Sequence, residues 1–105
     1  TKEIVRLVRS EIMKSIPEYN VSESAINAFG YELMNQNKLN DAETIFKLNT
    51  ELYPNSYNVY DSYGECLLNL NRVKEGLAAY QKSLDLNPEN TNASSVLGKY
   101  KIIKE

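Results

Sequence analysis

The stretch from Tyr60 to Cys66, YDSYGEC, contains residue types that could perform nucleophilic or acid–base chemistry. It places an aspartate, a serine, a glutamate and the only cysteine of the chain around Gly64. A nucleophilic serine needs a general base within hydrogen-bond reach, and that base is usually a histidine. The chain has no histidine and one cysteine, which excludes zinc sites of the familiar kinds. We therefore expect no catalytic residue, no metal site and no cofactor, so that this chain is not an enzyme.

The individual side chains of this stretch allow a functional and a structural interpretation. Asp61 and Glu65 lie one helical turn apart and could form a carboxylate pair, but a solvated helix face is the favoured interpretation. Ser62 is expected on the same solvent-facing side. Tyr60 and Gly64 are expected on the buried side. For Cys66 we favour a buried structural thiol over a reactive one, and a single cysteine permits no internal disulfide.

The glycines and prolines recur with a fixed period, which indicates a repeat architecture. Gly30, Gly64 and Gly98 are spaced by 34 residues, and so are Pro54 and Pro88. Periods of this size are typical of stacked helical or solenoid units. The small residues of each copy are predicted to let two helices approach closely; they are Gly30, Ala42, Gly64 and Gly76.

Local signals divide each copy into two helices. Ser22 can accept a hydrogen bond from a free N–H of the first turn, and Asn37 can adopt the left-handed conformation that ends a helix. Asn40 with Glu43 resembles a capping box for the second helix, which Pro54 then ends. The corresponding residues of the second copy are Ser56, Asn71 and Pro88.

The period and the residue types together resemble the tetratricopeptide repeat (TPR), whose pattern has Trp, Leu-Gly, Tyr, Ala, Phe and Pro at matching offsets. The matching positions are Ile26/Tyr60, Phe29-Gly30/Tyr63-Gly64, Leu33/Leu67, Ala42/Gly76, Phe46/Tyr80 and Pro54/Pro88. The chain departs from the family at Gly76, where Ala is usual, and at Asn49 and Ser83, where another small apolar residue is usual. We expect these departures to loosen the helix packing.

The resemblance implies an all-α fold, a right-handed TPR solenoid of antiparallel helix pairs. The chain is then a single domain, residues 1–105. It consists of an N-terminal amphipathic packing helix in residues 1–20, repeat 1 in 23–56, repeat 2 in 57–90 and a capping helix in 91–105. The stripe of Ile4, Val8 and Ile12 indicates that the N-terminal helix covers repeat 1.

The resemblance also implies a non-catalytic protein–protein interaction module that binds a peptide or protein segment in the concave groove formed by the first helices. The residues predicted to line it, called here the groove residues, are Asn27, Tyr31, Asn35, Asn58, Asp61, Ser62, Glu65, Asn69, Asn92 and Lys99. Tyr31 is the expected anchor, and Lys99 is expected to neutralise Glu65 from the neighbouring helix. Some relatives clamp a terminal carboxylate with basic groups, but this lining is rich in amides and mildly acidic.

A second resemblance leaves the function open. The run ELYPNSYNVYDSYGE is similar to the helical-repeat tails of bacterial serine hydrolases of the β-lactamase-like or esterase type. The alternatives are therefore a C-terminal appendage that packs on or scaffolds a hydrolase domain, or a self-associating module forming a homodimer. The first residue is not Met, which is consistent with a piece of a longer protein.

Charge and hydropathy limit the other partners. Residues 18–89 carry five basic and eleven acidic side chains, so a nucleic-acid partner is not expected. No apolar run reaches the ~18 residues that a membrane span needs. The compartment, cytoplasmic or periplasmic, stays open.

Overall fold

The computed structural model describes the backbone of residues 22–104 and the side chains of residues 22–100. This part of the chain is all helical and contains no strand, which confirms the predicted fold class at that level. Its helices are α1 (Glu23–Asn35), α2 (Leu39–Leu52), α3 (Tyr57–Asn69), α4 (Val73–Leu86) and α5 (Thr91–Lys104). The N-terminal helix predicted in residues 1–20 lies outside the described residues.

The helix boundaries follow local hydrogen bonding, with two corrections, at Asn40 and at Ser56, which lies at the N-cap position of α3 but makes no side-chain cap bond. The Ser22 Oγ accepts from the Ala25 N–H at 3.2 Å, and Asn37 and Asn71 have φ of 61° and 63°, as predicted. The capping box predicted at Asn40 is wrong, because α2 begins at Leu39 and the residue before it makes no side-chain cap. The left-handed residue lets the N–H of Lys38 bond to Leu33 O at 2.9 Å, so the chain enters α2 directly from the turn.

Each helix packs against the next, and α1 also contacts α3. The first core cluster joins α1 to α2 through Ile26, Ile45 and Leu48. The second core cluster joins α2 to α3 through Phe46 and Cys66, which are both fully buried. The helix α3 therefore contributes apolar surface in more than one direction.

The predicted close helix contacts are present at the recurring small residues. A Cβ added at Gly30 would lie 2.5 Å from Cε1 of Phe46. A Cβ added at Gly64 would lie 2.8 Å from Cδ2 of Tyr80. Real Cβ atoms do not approach so closely, so each glycine allows the aromatic ring of the following helix to pack on the backbone. Gly98 has no such neighbour within 4 Å.

The expectation that Asn49 and Ser83 loosen the packing is wrong. Both side chains are fully buried, and each donates a hydrogen bond to the first residue of the preceding helix. Asn49 Nδ2 donates to Glu23 O at 3.1 Å, and Ser83 Oγ donates to Tyr57 O at 2.8 Å. Since a backbone carbonyl oxygen has two acceptor positions, it can accept such a side-chain donor in addition to its helical hydrogen bond, and these bonds fasten the two helices of each pair.

Candidate functional site

Polar side chains connect α1, α3 and α5 along one face of the molecule. The Tyr31 hydroxyl donates to Glu65 Oε1 at 2.7 Å, and its oxygen lies 3.3 Å from Ser62 Oγ. Further along, Asn92 Nδ2 donates to Asp61 Oδ2 at 3.4 Å. The structure thus brings together five of the ten groove residues, from three helices that are not all consecutive in the chain.

Ser62 does not face solvent as predicted, because only 3% of its surface is exposed. It lies under the Tyr31 hydroxyl, where α3 approaches α1. The buried side of α3 also includes Val59, whereas Tyr60 is only partly buried and donates its hydroxyl to Pro54 O at 3.2 Å. A helix with neighbours on several sides buries a wider arc than the single stripe predicted from one contact.

Glu65 is not neutralised by Lys99 as predicted. Among the described side chains, Lys99 is exposed and forms no ion pair, and Glu65 accepts the Tyr31 hydroxyl instead. The ion pairs of the described region join Arg72 to Glu43, at 3.2 Å, and to Glu75. The two carboxylates on the α1/α3/α5 face, Asp61 and Glu65, therefore have no cationic partner within residues 22–100.

An open cavity of about 340 Å³ lies between α1 and α3, and we call it the cleft. Its lining residues are Met34, Asn35, Asn37, Leu39, Glu65 and Asn69. The prediction named Asn35, Glu65 and Asn69 but missed the other three. The 34-residue spacing could have predicted them. It sets Asn35 beside Asn69, so the turn that follows Asn35 must border the same space.

The side chains of the cleft leave hydrogen-bonding groups directed to solvent. Asn35, Asn69 and Glu65 are exposed, and Asn69 Nδ2 contacts the Met34 sulfur at 3.8 Å. An asparagine side chain has two donors and an acceptor, so most of this capacity is available to a ligand.

Negative charge is concentrated near the Tyr31 hydroxyl. Burial raises the pKa of Tyr31 to about 12, the hydrogen bond to Ser62 opposes this, and the Glu65 and Asp61 carboxylates add to the rise. Burial also raises the pKa of Tyr80, and the same two carboxylates contribute again. Two tyrosines on different helices therefore respond to one negative region.

Tyr31 is also part of the hydrophobic packing. Its ring meets the Phe46 ring edge-on, with centroids 5.1 Å apart and an interplanar angle of 71°. Truncation of Tyr31 to alanine would therefore destabilise the fold as well as remove a surface ring. Substitutions that test binding have to be made at the exposed residues instead.

Two groove residues carry buried oxygens that have no hydrogen-bond partner among residues 22–100. They are Asn27 and Asp61, at equivalent positions one repeat period apart, and the atom concerned is Oδ1 in each. Unpaired buried acceptors cost free energy, and few occur in a folded domain. Of the remaining groove residues, Asn58 and Lys99 are exposed and form no hydrogen bond or ion pair within the described part.

Cys66 is a structural residue in this fold. It is fully buried, and its thiol donates to Leu39 O at 3.6 Å. Burial raises the pKa of the Cys66 thiol to about 11, and nearby carboxylates add to the rise. The thiolate is therefore disfavoured near neutral pH. Residues 22–100 contain no cluster of His, Cys, Asp and Glu arranged to hold a metal ion. No described helix is long and apolar enough to cross a membrane.

The chain matches no protein-family model and no curated protein. Its function is therefore inferred from the contacts and chemistry of the α1/α3/α5 face.

Proposed function

We propose that this chain is a TPR-type, non-catalytic interaction module that holds a peptide or protein segment along the α1/α3/α5 face. The observation that carries the proposal is the open cleft between α1 and α3, lined by exposed amide and carboxylate groups. Extended peptides present backbone N–H and C=O groups that need both donors and acceptors. Asparagine side chains supply both, so Asn35 and Asn69 suit such a ligand.

Recurrence of the same contacts supports the TPR part of the proposal. The bonds of Asn49 to Glu23 and of Ser83 to Tyr57 both span 26 residues. The close contacts of Gly30 with Phe46 and of Gly64 with Tyr80 also lie at positions 34 residues apart. A periodic sequence that makes periodic contacts is what stacked helical repeats require.

The proposal is tested by selecting peptides from a displayed random library on immobilised chain and titrating the recovered peptides by calorimetry. We expect Asn35→Ala combined with Asn69→Ala to weaken binding by about tenfold or more, equivalent to about 1.4 kcal/mol. The matched control is Gln81→Ala, which removes an exposed amide from α4. It should bind as the unaltered chain does.

Other results of the same experiment would contradict the proposal. Recovery of no binding peptide, or of peptides that bind the double variant and the unaltered chain equally, would remove the α1/α3/α5 face as the binding site. A mass that rises with concentration in sedimentation would instead favour the self-associating module. Stable binding to a serine hydrolase domain through another surface would favour the appendage.

A further inference from the structure

We propose that the cleft receives an arginine side chain of the bound segment, with Glu65 as its anionic partner. This inference rests on the proposed peptide-binding function and names the side chain that the site selects. It follows from three properties of the cleft, namely its charge, its shape and the acceptors that border it.

The charge of the cleft is uncompensated. Glu65 is exposed, and its Oε1 accepts the Tyr31 hydroxyl at 2.7 Å. A carboxylate has about four acceptor positions on its two oxygens, so one hydroxyl leaves most of them open. Asp61 lies one turn earlier on α3, and like charges at that spacing repel each other. A cation from a partner would relieve this repulsion, and no described lysine or arginine forms an ion pair with either residue.

Arg72 shows how a guanidinium pairs with carboxylates elsewhere in the described part of the chain. Arg72, in the turn between α3 and α4, bonds to Glu43 of α2 and to Glu75 of α4. One guanidinium therefore joins carboxylates of two different helices on that side of the molecule. The α1/α3/α5 face has two carboxylates that no cation of residues 22–100 pairs with, since Lys99 of α5 is exposed and forms no ion pair there.

The shape of the cleft fits a side chain with an apolar stem and a polar head. Most of the lining surface is polar, with Asn35, Asn69 and Glu65 among its residues, and Met34 and Leu39 contribute a small apolar area. Arginine packs its methylene stem on apolar surface and keeps its guanidinium beside polar groups. A volume of about 340 Å³ is at the lower end of the range of ligand pockets, which suits one side chain rather than a folded element.

The acceptors favour arginine over lysine. Asn69 Nδ2 contacts the Met34 sulfur within the cleft lining, which uses one of its two N–H donors and leaves the amide oxygen open as an acceptor. A guanidinium has five N–H donors in one plane, and it can bond to a carboxylate in bidentate fashion and to an amide oxygen at once. A lysine ammonium acts as a compact point charge and gains less from such a planar set of acceptors.

The inference is tested with four peptides, acetyl-Ser-Ala-Xaa-Ala-Ser-amide, in which Xaa is arginine, lysine, citrulline or glutamate. Each is titrated into the ¹⁵N-labelled chain and followed by NMR. We expect the arginine peptide to shift the backbone amide signals of Asn35, Glu65 and Asn69, and to bind more weakly in high salt. Lysine should bind about threefold to tenfold more weakly, and citrulline and glutamate should cause no saturable shift.

Glu65→Gln should weaken the arginine peptide by about tenfold, because the isosteric amide keeps an acceptor for Tyr31 but loses the charge. Glu51→Gln, an exposed carboxylate on α2, is the matched control and should change nothing. Equal binding of the arginine and citrulline peptides, unchanged affinity in Glu65→Gln, shifts confined to another face or no shift at all would each overturn the inference. The proposed function is judged separately by the library selection, which does not depend on arginine.

Discussion

The two helix pairs, α1–α2 and α3–α4, have the same lengths, 13 and 14 residues, but close their contacts differently. In the first pair, Gly30 faces the Phe46 ring. In the second, Gly64 faces the Tyr80 ring and also the carbonyl oxygen of Gly76, at 3.1 Å from an added Cβ. The second pair is therefore restricted by backbone as well as by a ring, and backbone cannot move aside as a flexible side chain can.

The pairs differ again where the next helix begins. After the second pair, Asn90 Nδ2 donates to Ser83 Oγ at 2.8 Å, and Asn90 Oδ1 accepts from the Ala93 N–H at 3.2 Å. After the first pair, Ser56 makes no side-chain cap, and the buried Oδ1 of Asn49 has no partner within the part of the chain that the structure describes. Equivalent backbone positions therefore carry one complete network and one that lacks a donor. A shared sequence period therefore sets the positions of the contacts, but it does not decide whether every polar group at those positions finds a hydrogen-bond partner.

The largest expected effect comes from filling the closest contact. Gly64→Leu should lower the free energy of unfolding by about 3 kcal/mol, because the new side chain meets both the Tyr80 ring and the Gly76 carbonyl. Gly98→Leu is the matched control in open space and should change stability by less than about 1 kcal/mol, towards greater stability. Urea denaturation followed by circular dichroism measures both. Similar losses in the two variants would contradict the assigned contact.

A smaller effect is expected in the pH dependence of the free energy of unfolding, which should distinguish the ring of Tyr80 from that of Phe46. Tyr80 is buried and has a pKa raised above its ordinary value of 10.0, whereas its counterpart Phe46 does not ionise. Because the pKa of Tyr80 is raised in the folded state, its contribution to the free energy of unfolding is complete below pH 10. This contribution is lost as the pH rises above 10. Relative to Tyr80→Phe, the unaltered chain should lose about 1.4 kcal/mol of stability between pH 8 and pH 11.

Denaturation of both proteins at pH 8, 10 and 11 measures this difference. The raised pKa values of Tyr31, Tyr63 and Cys66 make both proteins less stable at high pH, and these contributions cancel when the two are compared. A difference that stays constant with pH would show that Tyr80 ionises freely in the folded chain.

The smallest expected effect comes from completing the hydrogen-bond network between the first helix pair and α3. Ser56→Asn should raise the free energy of unfolding by about 1 kcal/mol, because asparagine can cap α3 and donate to Asn49 Oδ1. The reciprocal change, Asn90→Ser, should lower it by a similar amount. Ser56→Ala serves as the control and should be close to neutral, since Ser56 makes no cap bond to lose. Thermal melts that show no gain for Ser56→Asn would mean that the two junctions are not equivalent.

Local features of the fold were predictable from the sequence. The left-handed turns at Asn37 and Asn71, the cap at Ser22 and the helix ends before Pro54 depend on neighbouring residues only. Their conformations are decided by short-range sterics and hydrogen bonds, which are the same in any tertiary context. The close contacts at Gly30 and Gly64 were predictable for another reason, because glycine is unfavourable inside a helix and its recurrence there indicated a packing requirement.

The partners of polar side chains were not predictable in the same way. Asn49 and Ser83 differ from an apolar pattern, and from the chain alone they suggested weaker packing, yet they bond to carbonyl groups 26 residues away. The sequence predicted that Ser62 faces solvent, but in the structure α1 packs beside it and the Tyr31 hydroxyl lies over the Ser62 side chain. Glu65 was expected to be neutralised by Lys99, but in the structure it accepts the Tyr31 hydroxyl instead.

The sequence by itself determined the all-helical class of the described part, its period and the positions of its turns, because these depend on residue type and spacing. Only the tertiary structure decided which polar groups meet, which acceptors stay unpaired and where the cleft opens. Those outcomes depend on differences of a few ångströms between helices, and interhelical distance is set by the whole set of packed side chains rather than by any one of them.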